Sequence, residues 1–284
     1  MSRFRFTSFP GVMLFVGYGF LYVPILLLVL FSFNDSRLVT VWGGWTTRWY
    51  VELFENDQII DAALLSLQIA AITATIAVVL GTMAGYALAR YGRFRGRVLF
   101  TGMVTAPLVM PEVVTGISLL LLFVAMEQLI GWPAGRGMVT IIIAHATFCA
   151  AYVTVVMQSR LISLDVSLEE AALDLGARPA KVFFVITLPI IAPALIAGWL
   201  LAFTLSLDDL VVASFVSGPG ASTLPMVVFS KVRLGVSPDI NALSTLFVGV
   251  VSIGIIIASA LIHRQEKTRQ RDEQLAMAAE GRMS

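Results

Sequence analysis

The sequence predicts an all-α protein that crosses a membrane six times. Three observations predict it. Of 284 residues, 58% are hydrophobic and only 13% are charged, against about 25% charged in a soluble domain. The charges are segregated: Phe6–Asn34 (29 residues), Ala62–Ala89 (28) and Gly137–Ser159 (23) carry none. Each block exceeds the roughly 20 residues a helix needs to cross about 30 Å of hydrocarbon, and each is far too long for a barrel strand. A soluble enzyme, a disordered chain and a secreted disulfide scaffold are thereby excluded.

The apolar blocks place spans at about residues 10–33, 62–89, 98–126, 138–159, 185–213 and 240–263. Arg3 and Arg5 precede the first, as in a signal peptide, but its apolar run is too long for one and lacks a cleavage site, so it reads as a retained span. Gly81 and Gly85 give the second a small-xxx-small pair for close helix approach. Pro107 and Pro111 interrupt the third, and a helix restarting at Pro111 puts Glu112 in its first turn, where the dipole favours an acid. Between Asp209 and Lys231 the glycines and Pro219 predict a loop, at most with a short surface helix. Ser237, Pro238 and Asp239 read as N-cap, N1 and N2 of the sixth span. Residues 1–9 and the polar stretch 264–284 flank a transmembrane region at 10–263.

Lys and Arg set the orientation. With the N-terminus inside, 14 of the 19 fall on inner segments, including the run Arg90, Arg93, Arg95 and Arg97; only Arg37, Arg48, Arg136, Lys231 and Arg233 fall outside. Both termini are therefore expected in the cytoplasm, and the basic run reads as a membrane anchor rather than a nucleic-acid site. Net charge is +1, with one cysteine and two histidines, so neither a nucleic-acid partner nor metal chemistry is indicated. His145 reads as a packing histidine rather than a gate. Trp42, Trp45, Trp49 and Tyr50 read as an interfacial belt.

The inner loop at about 160–189 is the most informative. Ser167 and Glu170 have capping-box spacing, predicting a helix of about two turns, and Gly176 would end it in the left-handed conformation. Leu168, Ala171, Ala172 and Leu175 form its apolar side, suited to another protein's groove; Glu169, Glu170 and Asp174 form the charged side. Glu170-Ala171-Ala172, then Gly176, Ile186, Leu188 and Pro189, resembles in full the EAA loop of ABC importer permeases. The resemblance implies a type I permease fold whose cytoplasmic coupling helix docks on an ATPase. It also implies a second homologous permease, two ATP-binding subunits and a periplasmic binding protein. This chain lacks G-x-x-x-x-G-K-[ST], so it is expected to be no enzyme and to hold no cofactor, with ATP and Mg bound by the partner ATPase.

Three acids interrupt otherwise apolar spans: Glu112 in the third, Asp208 and Asp209 in the fifth. A carboxylate at a helix centre costs about 2.5–3.5 kcal/mol, so such acids mark a functional path. Thr204 lies almost beneath Asp208, while Asp209 points about 100° around the helix, and no Lys or Arg within a span neutralises either. A cationic substrate would supply the missing partner. Glu112 stays open between cargo contact and a purely structural place at a helix start. The stretches Phe203–Leu210, Val216–Gly220 and Val236–Leu243 resemble the permeases of spermidine/putrescine ABC importers, most of all the second permease of the putrescine systems. That likeness implies an inner-membrane permease importing polyamines, with Asp208, Asp209 and Glu112 on the route. The alternatives are an ABC permease for another small cationic or polar solute and a proton-coupled secondary transporter, the latter disfavoured by the lack of an inverted repeat.

Overall fold

In the computed structural model the described residues are 9–37, 41–235, 238–250 and 252–253, and they are almost all helical. The chain divides into two units, Met1–Asn56 with Lys231–Ser284, and Asp57–Ser230.

In the first unit, α1 (Phe9–Phe31) buries only Gly11 and leaves a sheath of Phe, Leu, Val and Tyr side chains exposed, as suits a helix facing lipid or a partner. The short α2 (Arg48–Phe54) follows. Between them Asn34 is buried and organises the turn: its Nδ2 donates to the Val41 carbonyl, its Oδ1 accepts from Gly43 N, and its carbonyl accepts Trp49 Nε1 at 2.6 Å. Trp49 is therefore a buried strut; Trp42 and Trp45 are exposed, as a belt requires. Later in the chain, residues 238–250 are helical and Asp239 pairs with Lys231 at 2.7 Å. Ser237, and most of the predicted sixth span beyond 250, lie outside the described residues.

The second unit is a bundle around two long helices, α3 (Asp57–Arg90) and α6 (Met138–Ile162). At 34 residues α3 is about 51 Å long, more than a bilayer requires, so its ends can carry Asp57, Asp61 and Arg90. Its buried face is built of small residues, among them Ala70, Ala74, Ala77, Gly81 and Gly85. The buried face of α6 repeats every fourth residue at Ile141, His145, Cys149, Val153, Met157 and Leu161. A Cβ on Gly81 would lie 2.7 Å from Val153 Cβ, and one on Gly85 3.0 Å from Met157 Cβ. Without a hydrophobic drive in lipid, such closeness is what lets dispersion hold the pair together.

The third predicted span is two helices, broken at Pro111 as the sequence indicated. The helix α4 (Arg97–Val109) ends at Met110, whose extended backbone precedes Pro111, and α5 (Glu112–Ile130) starts afresh. Gly131, at φ +72°, closes α5. The fifth span is also differently bounded. A short α7 (Ser167–Asp174) and one turn, α8 (Pro179–Val182), lead through a π-helical turn (Phe183–Thr187) into α9 (Leu188–Leu207). The helix stops before the two aspartates, so the helical rotation expected between them does not apply. The predicted loop after Asp209 holds two helices, α10 (Val211–Val216) and α11 (Leu224–Leu234). Nor is α10 superficial: Val212, Ala213 and Val216 are buried against Ile69, Phe123, Ile141 and Ala144 of α3, α5 and α6.

Candidate functional site

Two chain breaks meet at one cavity. The break between α4 and α5 and the break after α9 both line a cavity of about 260 Å³, bounded by Pro107, Met110, Glu112, Thr115, Phe148, Tyr152, Leu205, Asp208, Asp209, Leu210, Val211 and Val212. Irregular backbone within a membrane protein persists where protein buries it or where it lines a cavity. The three acids expected on a substrate path are thus brought together, and none of the lining residues is Lys or Arg. Thr204 is not among them; its Oγ1 turns back on the Leu200 carbonyl of its own helix at 2.8 Å.

The acids are not equivalent. Glu112 is exposed in the first turn of α5, as expected from Pro111. Asp208 caps the C-terminus of α9, its N–H bonded to the Thr204 carbonyl, and is also exposed. The Asp209 side chain is only 7% exposed. Its Oδ2 accepts from Ala213 N at 2.7 Å and its Oδ1 from Val212 N at 3.4 Å, closing the start of α10. Oδ2 also lies 3.1 Å from Nε2 of His145, a fully buried residue. His145 Nδ1 and Ser206 Oγ are 2.7 Å apart. The sequence offers no Lys or Arg within a span to neutralise the aspartates; the fold brings the imidazole of His145 to Asp209. Ser206 and His145 were missed as a pair because 61 residues separate them and only the fold joins them.

The other end of α10 is held as firmly. Thr140 Oγ1 donates to the Val216 carbonyl at 2.7 Å, and at the start of α11 Leu224 N donates to Ser66 Oγ at 2.8 Å. These bonds satisfy terminal backbone groups where water is scarce. Chemically, the cavity offers two exposed carboxylates, a third already engaged, and the rings of Phe148 and Tyr152. Such a lining concentrates cations.

The EAA-like residues occupy the opposite end of α9. Glu170, Ala171 and Ala172 lie in α7, which spans eight residues; Gly176, at φ +83°, turns the chain; Ile186 sits in the π-helical turn; Leu188 and Pro189 open α9. The predicted capping box does not form. Ser167 is the first helical residue, and its N–H donates to Asp165 Oδ1 at 3.0 Å. That backbone bond, with the Ser167 hydroxyl, holds the Asp165 carboxyl below the ordinary carboxylate range. Leu168, Ala171 and Leu175 are exposed, as a docking face requires. Glu169, placed on the charged side by its sequence, is instead buried, with Arg90 at 2.9 Å. Arg97 also has a local task, donating to the Leu88 and Gly92 carbonyls at the end of α3.

Known proteins match this arrangement. The chain is 65% identical over 265 residues, 93% of its length and 94% of the relative's, to the putrescine transport system permease protein PotI of Escherichia coli (strain K12). It is 43% identical, over 93% of its length and 99% of the relative's, to the spermidine/putrescine transport system permease protein PotC of Haemophilus influenzae. In fold it resembles a chain from the crystal structure of a bacterial ABC transporter involved in import of the acidic polysaccharide alginate. There the TM-score is 0.68 at 17% identity, covering 88% of this chain and 93% of that one. The profile of the binding-protein-dependent transport system inner membrane component matches residues 77–271. With the broken spans, the small-residue helix pair and the EAA-like loop in place, the chain belongs to the family of inner-membrane components of binding-protein-dependent transport systems.

Proposed function

We propose that this chain is the transmembrane subunit of an ATP-driven importer that carries polyamines, putrescine or spermidine, from periplasm to cytoplasm. The observation that carries the reading is the cavity at two helix breaks, where Glu112 and Asp208 face inward with no basic residue in the lining. Polyamines are flexible chains with separated positive charges, and spaced carboxylates are the chemistry that receives them. Similarity to permeases named for putrescine and spermidine supports the same cargo.

In this reading Glu112 and Asp208 contact cargo, Asp209 shapes the site, and Thr204 lies off the route. The loop containing Glu170, Ala171, Ala172, Gly176, Ile186, Leu188 and Pro189 couples to a separate ATPase subunit, which binds ATP and Mg. The exposed apolar face of α7 supports that docking. A second homologous permease, two ATP-binding subunits and a periplasmic polyamine receptor complete the complex. Both termini are cytoplasmic, supported by the distribution of Lys and Arg. Binding of ATP closes the ATPase pair and turns the cavity toward the receptor; hydrolysis returns it to the inside.

The test is uptake of labelled putrescine, with spermidine as competitor, in cells lacking this chain and re-supplied with wild type or Asp208→Asn. Wild type is expected to restore uptake at low putrescine, and Asp208→Asn only at roughly tenfold higher concentration. If neither restores uptake while the ATPase still co-purifies, the cargo assignment falls.

A further inference from the structure

We propose that Glu169 is the positioning residue through which movement of α7 reaches the membrane spans. This rests on the importer reading, in which α7 meets the ATPase. Among the residues of α7, Glu169 alone is buried; its neighbours Leu168, Glu170, Ala171, Leu173, Asp174 and Leu175 are exposed. The rest of the helix presents itself outward and is tied to the bundle through the chain on either side, with a glycine turn at Gly176. A push on α7 therefore needs a rigid side-chain link if it is to arrive as movement of the spans.

One carboxylate supplies that link to three elements. Arg90, the last residue of α3, grips both oxygens: Nε to Oε2 at 2.9 Å and Nη2 to Oε1 at 3.1 Å. The remaining Nη1 of the same guanidinium donates to the Leu161 carbonyl at the end of α6, at 2.9 Å. Oε1 also accepts the hydroxyl of Thr187 at 2.9 Å, in the π-helical turn that feeds α9. The two-pronged contact fixes direction as well as distance, which a single lysine contact would not. Because α3, α6 and α9 pack on one another, and α6 and α9 contribute Phe148, Tyr152 and Leu205 to the cavity wall, displacement of Glu169 reaches helices that line the cavity.

The experiment uses the whole reconstituted complex with its periplasmic receptor, carrying Glu169→Gln, Arg90→Lys or Thr187→Val. It measures assembly, ATP hydrolysis with and without loaded receptor, and putrescine taken up per ATP hydrolysed. Glu169→Gln and Arg90→Lys are expected to assemble and hydrolyse ATP, yet to lose roughly 5-fold or more of both receptor stimulation and uptake per ATP, the scale of an ordinary coupling between sites. Thr187→Val, which keeps the ion pair, is expected to lose less.

Assembled Glu169→Gln and Arg90→Lys complexes that retain both ratios within about twofold would overturn the proposal. Failure of all three variants to assemble would make Glu169 a folding residue, and overturn it equally. If Glu169→Gln alone fails to assemble, Arg90→Lys decides. A wild-type complex whose hydrolysis responds to the receptor without moving putrescine removes the cargo assignment and leaves this link readable by stimulation. One that does not respond removes the importer reading and this proposal with it.

Discussion

Nε2 of His145 lies 3.1 Å from Oδ2 of Asp209, and the adjacent Asp208 has no part in that contact. Two neighbouring aspartates thus lead different lives. Asp209 is consumed by the fold, holding a buried imidazole on one side and two N–H groups of α10 on the other. Asp208 keeps its carboxylate in the cavity. Burial decides between them: a polar group withdrawn from water must be paired, while one facing a wet cavity is free to meet a ligand.

Stability should therefore separate the two. Asp209→Ala removes the acceptor at the start of α10, worth about 0.5–2 kcal/mol, and takes away the carboxylate that stands against the buried His145 ring. The purified variant should unfold several degrees below wild type in detergent, and His145→Leu should do the same. Asp208→Ala should unfold with wild type. Equal thermal shifts for the two aspartates would show that Asp209 is not the structural member.

Transport should separate them the other way. Glu112→Gln and Asp208→Asn each remove one charge from the cavity without disturbing a packed contact, so membrane levels should hold. The half-saturating concentration for putrescine should rise about tenfold in each, and by more in the double variant, since each exposed carboxylate contributes on the order of 1–2 kcal/mol to a cation at close range. Measured uptake unchanged in the double variant would take the cargo route elsewhere.

The contact of α3 with α6 makes a third expectation. Gly81→Leu would drive a side chain into Val153, whose Cβ already stands 2.7 Å from where the new Cβ must go. Overpacking of this kind costs about 1–3 kcal/mol, occasionally more, and the strain falls on two helices that both line the bundle core. The variant should be poorly represented in the membrane. Gly17→Leu on α1, where no described atom outside its own helix lies within 4 Å, should be present at wild-type level.

These contrasts also show what a sequence can and cannot disclose. Uncharged blocks located α1, α3 and α6, because the solvent requirement acts on every residue of a span at once. Pro111 and Glu112 disclosed a helix start, because both signals are local. The end of α9 at Leu207 was not legible: Leu-Ser-Leu-Asp-Asp reads as continuing helix, and what stops it is the capture of Asp209 by His145 and by α10. The buried α10 was hidden for the same reason; six residues rich in valine look like loop until Ile69, Phe123 and Ile141 close over them. Glu169 looked solvated because helical periodicity sets it beside Glu170. Arg90, 79 residues earlier, and Thr187, 18 residues later, make its burial tolerable.

Gly176 offers the last separation, between backbone shape and surface charge. At φ +83° it occupies the left-handed region, which costs other residues about 1–2 kcal/mol, least for Asn and Asp. Among the described residues, and its own chain neighbours apart, nothing lies within 4 Å of where its Cβ would be, so a substitution meets no clash there. Gly176→Val should therefore distort the turn, Gly176→Asn should nearly preserve it, and Gly176→Asp should preserve it while adding charge to the exposed end of α7. All three should insert in the membrane. If the ATPase reads the shape of this turn, the ratio of uptake to ATP hydrolysed should fall furthest for Val. If it reads an apolar, uncharged surface, Asp should fall furthest and Asn should stay near wild type. Normal coupling in all three would count against docking at this turn, because neither property of Gly176 would then reach the partner.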